Sequence, residues 1–438
     1  MNPRRILIVG SGGREHALAW RLTRDPDRPK VICAPGNDGI GRECRRLPIH
    51  EREVDALVGA CRDEGVDLVV VGPEGPLAEG LVDALEAAGI AAFGPNREAA
   101  RIESSKWYAK QLMERAGIPT ARAEAFEDLA LARAALVSFE PPFVVKADGL
   151  AAGKGVRVTS ERQAAEAFLA ECLEGGRFGQ AGRRVVIEEH LEGVEASLMA
   201  VSDGRNFVLL PAARDYKRAL DGGRGANTGG MGAYCPVPEL DGVLEHEVAR
   251  RVVVPALAEL EREGTPFRGV LYCGLMLGAQ GPMVVEFNCR FGDPESQVVL
   301  PLVEGRLGDL LASAARGALD VNAVKRRSGV AVSVALVDEE YPEGTRGSGT
   351  IEGLEDVMSR DEVLVFHAGT RFVDGMWKVK GGRAVYVTAV AGSRREARER
   401  VYETLGRLGG GGWRHRGDIA AEPADRTAHA RAFAAGGA

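Results

Sequence analysis

No stretch of the 438-residue chain approaches the roughly 18 uncharged apolar residues that cross a bilayer, so a membrane-spanning protein is not expected. Cysteine is sparse and unpatterned. Its seven residues run from Cys33 to Cys289 without a CxxC pair, which disfavours a thiolate metal site and suits a reducing compartment; each is expected to be a small buried side chain. Positive charge is not in excess either. The 56 Lys and Arg against 63 Asp and Glu leave a net charge of −7, which removes any general attraction to nucleic acid or anionic lipid. An anionic ligand must therefore be held locally. Lysine is scarce, nine of the 56 basic residues, and in so arginine-biased a chain a lysine invites a reason, because the two differ at point-charge sites. After Arg4 and Arg5 the apolar run Ile6 to Val9 is too short for a signal-peptide core, and a cytoplasmic location is expected.

What is present begins as alternating strand and helix. RRILIVG (4–10), the helical spacing of 14–24, Val31 to Ala34, a helical stretch at 51–63, DLVVVG (67–72), a helix over Leu77 to Ala88 and Ala91 to Gly94 predict a parallel α/β unit. Ser104 or Ser105 can cap a helix that Gly117 and Pro119 stop. PFVVKA (142–147), a glycine loop, strand 156–159, an Ala-rich helix 161–173 and strand 184–189 predict a compact second unit. Strands near 195–201, 206–210, 269–277 and 283–289 follow, interrupted by a Gly-rich loop 222–232 and a helix 244–262. Short strands return at 330–337, 363–367 and 384–390 before a helix at 393–408.

Four segments carry chemistry. VGSGGREHA (9–17) is a strand running through glycines into a helix, a geometry that points backbone N–H groups at a phosphate. A dinucleotide site is disfavoured, because Glu15 stands where the third glycine belongs and Cys33-Ala34-Pro35 lacks a ribose-binding acid. FVVKADGLAAGKGV (143–156) sets Lys146 on a strand ahead of a flap holding Gly149, Gly153, Lys154 and Gly155, suited to close over a polyphosphate. RVVIEEHLEGVE (184–195) offers Glu188, Glu189 and Glu195 as acceptors for nucleotide amino and hydroxyl groups. In MVVEFNCRFGDPES (283–296), period-two geometry places Glu286, Asn288 and Arg290 on one face and Val285, Phe287 and Cys289 on the other. The polar face supplies oxygen ligands for a hard cation.

Taken in order, GSGGREHAL (10–18), APGN (34–37), VGPEGPL (71–77), VVKADGLAAGKGV (144–156), VIEE (186–189), NTGGMGAY (227–234) and VEFNCRFGDPE (285–295) resemble the glycinamide ribonucleotide synthetase family of ATP-grasp ligases. HAGT (367–370), GGR (381–383) and RGDI (416–419) extend the likeness. The resemblance implies a multidomain α/β and α+β fold with an N-terminal parallel α/β domain (1–103) and an ATP-grasp domain (104–325) whose small lid spans about 121–190. A C-terminal mixed β domain (326–426) and a frayed tail (427–438) complete it.

It also implies the reaction: ATP-dependent joining of the glycine carboxyl to the amine of 5-phosphoribosylamine in de novo purine synthesis, by way of an acyl phosphate. ATP would lie between Lys106, Lys146, the flap and Glu188 to Leu191 (with Glu189), and Glu195 would hold its ribose. Mg²⁺ or Mn²⁺ would sit on Glu286 and Asn288. Gly12, Gly13, Arg14, Glu15, Asn37, Pro73 and Glu74 would bind phosphoribosylamine, while Asp215, Lys217 and Arg290 would handle glycine and the acyl-phosphate charge. Five of the nine lysines lie between Lys106 and Lys217, where phosphate would be handled. The sequence departs from the family's Gln-Asp-His-Lys-Arg run at Arg214 and Tyr216, and from its serine at Cys235. The expected partners are the small-molecule substrates alone, without nucleic acid or membrane, and the expected state is a monomer. Two other readings stay open: an ATP-grasp ligase for a different carboxylate and amine, and a non-catalytic ATP-binding regulatory protein of the same fold.

Overall fold

The computed structural model describes residues 3–151 and 153–422; the tail expected to fray, 427–438, lies outside them. The N-terminal hundred residues form a five-stranded, all-parallel sheet in the order Arg45–Arg46, Lys30–Pro35, Arg5–Gly10, Leu68–Val71, Ala92–Phe93. Ile6, Leu7, Ile8, Val9, Val69 and Val70 are completely buried, because helices cover the sheet and leave its central strands no polar face. Each such side chain contributes about 1.5–3 kcal/mol. The helix expected over Leu77 to Ala88 is two helices, Glu74–Glu79 and Leu81–Ala87, parted at Gly80, whose φ of +87° a non-glycine residue would resist.

Beyond Ser105, whose hydroxyl caps the helix Lys106–Arg115 by accepting from the Tyr108 amide at 3.1 Å, lies a small antiparallel sheet. Its order is Ala123–Phe126, Val185–Glu188, Phe143–Ala147, Val156–Thr159. Helices Leu129–Ala135 and Arg162–Leu173 pack on it, and the unit closes a core of its own around Val145, Phe168, Leu169 and Ile187.

A second antiparallel sheet, Phe207–Leu209, Val194–Asp203, Arg268–Gly278, Gly281–Asn288, forms the floor of a large cavity. A third runs Arg214–Asp215, Gly232–Cys235, Val330–Asp338, Arg383–Ala391, Leu364–His367. It joins strands from either side of residue 326 in one hydrogen-bonded ladder, Gly232 opposite Val334 and Cys235 opposite Ala331. The expected Gly-rich loop 222–232 is partly ordered: Arg218–Leu220 and Arg224–Asn227 pair as a hairpin. All seven cysteines are free thiols and six are buried, Cys44 being half-buried. No helix among the described residues is long and apolar enough to cross a membrane.

Candidate active site

Strand ends and loops from every part of the chain surround one cavity of about 1540 Å³. Its lining includes Lys106, Lys146, Gly153, Gly155, Glu188, Glu189, Leu191 and Glu195 along one side. Asp215, Lys217, Glu286, Asn288 and Arg290 lie on the floor and far wall, with Arg14, Pro73 and Glu74 at the N-terminal end. The remaining residues singled out from the sequence lie off it. Gly149 borders a separate cavity of about 590 Å³, although its carbonyl accepts from Lys106 Nζ at 3.2 Å. Lys154 is exposed on the flap. Gly12, Gly13, Glu15 and Asn37 sit behind the wall and shape it.

The N-terminal loop shows how. Glu15 Oε2 accepts from the Gly12 amide at 2.6 Å while Oε1 accepts from Arg14 Nε at 2.5 Å, so this carboxylate pins the loop from within. A Cβ on Gly72 would come within 2.1 Å of Glu15 Oε1, which is why the strand end opposite carries no side chain. Asn37 donates to the carbonyls of Ser11 at 2.8 Å and His367 at 2.9 Å, and its Oδ1 accepts from the Ile40 amide, tying the loop to the C-terminal region.

On the opposite side a cationic group is set by the helix Lys106–Arg115 and the strand Phe143–Ala147. Lys146 Nζ lies 2.8 Å from Glu188 Oε2 and donates to the Val285 carbonyl at 3.2 Å; Lys110 Nζ lies 3.3 Å from the same Glu188 oxygen. Two ammonium groups thus share one buried carboxylate, leaving an excess of positive charge. Burial lowers both Lys106 and Lys110, the latter to about 8. Lys110 was not assigned a role from sequence, though the scarcity of lysine is a signal that marks it.

The floor corrects the period-two reading of 283–289. Gly274 pairs with Glu286 but Leu275 pairs with Val284, so Val285 is the extra residue of a β-bulge. Val284 and Phe287 are buried, whereas Val285 is half-buried on the cavity wall beside Glu286, and its carbonyl receives Lys146. Glu286 would be raised by burial, but Lys217, Lys146 and Lys106 outweigh that and hold the carboxyl below its usual range. Lys217 Nζ lies 3.3 Å from Glu195 and 3.9 Å from Glu286. Burial raises the Asp215 carboxyl to about 7, with Lys217 opposing and Glu295, Glu195 and Glu286 reinforcing. The carboxylates around Lys217 outweigh burial and keep its ammonium charged. Three carboxylates, Asp215, Glu195 and Glu286, thus surround one lysine, and this end of the cavity is short of positive charge.

Arg290 bridges Glu74 at 3.3 Å and Glu103 at 3.1 Å, linking the N-terminal wall to the floor. Burial raises Glu103, and burial would raise Glu74 too, but Arg290 and Arg14 pull it below its usual range. Further wall residues had no role from sequence: Glu295, which accepts from Tyr272 at 2.8 Å and Ser197 at 3.2 Å, and Asp293, which meets Arg383 at 2.9 Å. Both acids fall inside a quoted motif. Arg383 and Arg416 reach the cavity from the C-terminal region, at the GGR and RGDI motifs. Arg214 also lines it, turned toward Tyr234.

A lysine-rich strap, a glycine flap and an oxygen-bearing floor around a single cleft define an ATP-grasp protein, and residues 104–296 match the ATP-grasp (A) domain of phosphoribosylglycinamide synthetase. Residues 4–103 match the N domain of the same family and 331–422 its C domain; the chain belongs to the phosphoribosylglycinamide synthetase family. A phosphoribosylamine–glycine ligase of Caulobacter vibrioides is 46% identical over 416 residues, covering 94% of this chain and 97% of the relative. One of Streptomyces coelicolor is 46% identical over 428 residues, covering 96% and 99%. The crystal structure of phosphoribosylamine–glycine ligase from Thermotoga maritima superposes with a TM-score of 0.83 at 35% identity, covering 95% of this chain and 100% of that one.

Proposed function

We propose that the chain joins the carboxyl of glycine to the amine of 5-phosphoribosylamine with cleavage of ATP, giving glycinamide ribonucleotide, ADP and phosphate. The observation that carries this reading is the meeting of Lys146 with the Val285 carbonyl at 3.2 Å, which sets the phosphate-handling strand beside Glu286 within one cavity that also holds Glu74 and Asp215. A carboxylate at neutral pH does not accept an amine, because oxide is too poor a leaving group. Transfer of the γ-phosphoryl group to the glycine carboxyl supplies a leaving group, and the amine then displaces phosphate.

Each wall has a part in this. Lys106, Lys110 and Lys146 neutralise the polyphosphate, under a flap that carries Gly153, Lys154 and Gly155. Glu188, Glu189, Leu191 and Glu195 accept from the nucleoside. The donor set suits a hard divalent cation: Glu286 and Asn288 offer oxygens, and among the described residues no group of three or more acids, histidines or cysteines would hold an ion alone. Phosphate oxygens and water would complete its shell, as Mg²⁺ prefers. When bound, such an ion neutralises charge developing on the transferring phosphoryl group. Lys217 and Arg290 stabilise the acyl phosphate, and the acid-rich end near Asp215 receives the ammonium of glycine. Arg14, Pro73 and Glu74 face phosphoribosylamine on a loop shaped by Gly12, Gly13, Glu15 and Asn37. In this reading the domains divide at 103 and 325, and the protein works as a cytoplasmic monomer.

The test is ADP formation with glycine and freshly generated phosphoribosylamine, each omitted in turn and each replaced by other carboxylates and amines. Release that requires both is expected. Release indifferent to either, or ATP binding without turnover, would overturn the reading.

A further inference from the structure

The hairpin Arg218–Leu220 with Arg224–Asn227 contributes Arg218, Asp221 and Arg224 to the cavity wall. At its base the Lys217 carbonyl accepts from both the amide and the hydroxyl of Thr228, at 2.7 and 2.9 Å, so the hairpin holds Lys217 on one side while the pairing of Asp215 with Ala233 and the bonds of Tyr216 with Gly232 and Met231 hold it on the other. Little within the hairpin holds it there. Gly222, Gly223 and Gly225 all have left-handed φ, and a two-stranded ribbon this short is marginal by itself.

The restraint comes from the far end of the chain. Asp418 Oδ2 accepts from the Gly222 amide at 2.8 Å, the Gly417 amide donates to Asp221 at 2.9 Å, and Arg414 donates to the Ala219 carbonyl at 2.8 Å. Arg416 is the centre of this group. It is 3% exposed, its Nε and Nη2 grip Asp418 at 2.8 and 2.7 Å, its Nη1 donates to the Arg218 carbonyl at 2.8 Å, and its guanidinium lies 5.2 Å from the Tyr216 ring centroid. The segment is anchored in turn to the helix Arg394–Leu405. The Tyr402 hydroxyl donates to the Arg416 carbonyl at 2.7 Å and accepts from the Ile419 amide at 3.0 Å, while Arg398 donates to the Gly417 carbonyl at 2.9 Å. Every nitrogen of the Arg416 fork is engaged in fixed, planar geometry, which a lysine cannot reproduce.

We propose that Arg416, clamped by Asp418, is a positioning residue for the ligation: it holds the hairpin, and through it Lys217, against the acceptor end of the cavity. It takes no part in bond making. The kinetic half of this statement rests on the ligase reading; the tether does not.

The full-length chain carrying Arg416→Ala, Arg416→Lys or Asp418→Asn tests both halves. In hydrogen–deuterium exchange, amides of 219–227 in Arg416→Ala should exchange about tenfold faster than wild type, with those of 143–158 unchanged. With ATP saturating, kcat should fall about tenfold or more while the KM for ATP stays within about twofold, and Arg416→Lys should recover little. Unchanged exchange in the hairpin overturns the tether. Exchange raised evenly along the chain, or a loosened hairpin with normal kcat, overturns the positioning role. If Arg416→Ala does not fold, Asp418→Asn keeps the shape and carries the same criteria with a smaller effect. A wild-type chain that releases no ADP with both substrates sinks the ligase reading and leaves the exchange result to judge the tether.

Discussion

The flap-bearing unit and the C-terminal region meet the rest of the molecule in opposite ways. The first, whose sheet runs from Ala123 to Glu188, closes a separate small core, and near the cavity it meets the remainder through polar contacts such as Lys146 with Val285 and Lys110 with Glu188. The second has no separate core: Val330–Asp338 lies between Gly232–Cys235 and Arg383–Ala391, and its apolar side chains continue into the cluster that begins at Ile6. A unit with its own core can change its angle to its neighbours at little cost, whereas a shared ladder cannot shear without breaking hydrogen bonds. The flap-bearing side is thus tied less firmly to the rest of the molecule than the C-terminal side.

The largest effect that would break this comparison is at the floor where the two sides meet. Glu286→Ala should lower turnover by roughly 10³-fold or more, about 4 kcal/mol, with the unfolding transition little changed, because the side chain faces the cavity and not a core. Steady-state kinetics beside a thermal melt decides it, and a fully active variant removes the metal role. Paired core truncations sharpen the point. Phe168 fills the small core and Phe366 the shared one, 2% and 0% exposed, and Phe→Ala at either should cost about 3–5 kcal/mol. Limited proteolysis should then cut Phe168→Ala within 121–190 while 331–422 survives, whereas Phe366→Ala should lower the global transition. Identical fragment patterns would show the small core to be no separate unit.

Lys146→Met should cost about 10²-fold in kcat/KM for ATP, about 2.7 kcal/mol, and Lys378→Met less than about twofold. Equal losses would return Lys146 to an ordinary structural role. The smallest effect lies at the seam between the N-terminal helix and the C-terminal strand Leu364–His367. Burial holds the His16 imidazole down to about 3, its Nδ1 accepting from the His367 amide at 2.8 Å. An unfolded chain takes up that proton near pH 6.5, the native one only near 3. Stability should therefore be fully present above about pH 6.5 and fall as pH drops toward 3, by up to about 1.4 kcal/mol per pH unit. Urea midpoints against pH should show a shallower slope for His16→Gln, and an unchanged slope would clear this histidine.

Strong local patterns were readable in advance. The continuous apolar run before Gly10, the serine cap before Lys106 and the lysine beside a glycine flap each follow from residues close together in the chain. The features that were not readable depend on distant partners. Val285 is displaced by a bulge set by its pairing with Arg268–Gly278, and an alternation count within one strand contains no trace of that register. Likewise Glu15, which looks like a lost glycine, is the carboxylate that pins its own loop, and Gly72 is small because Glu15 needs the room.

Local order along the chain determined the parallel sheet, the flap and the identity of the groups that can carry phosphate and cation, since backbone preferences and apolar periodicity act over a few residues. Only the tertiary structure decided that Arg383 and Arg416 face the same cavity as Lys106, and that three carboxylates crowd one ammonium at Lys217. The reason is physical: charge and burial at a site are sums over everything within a few ångströms, and here those neighbours are drawn from positions hundreds of residues apart.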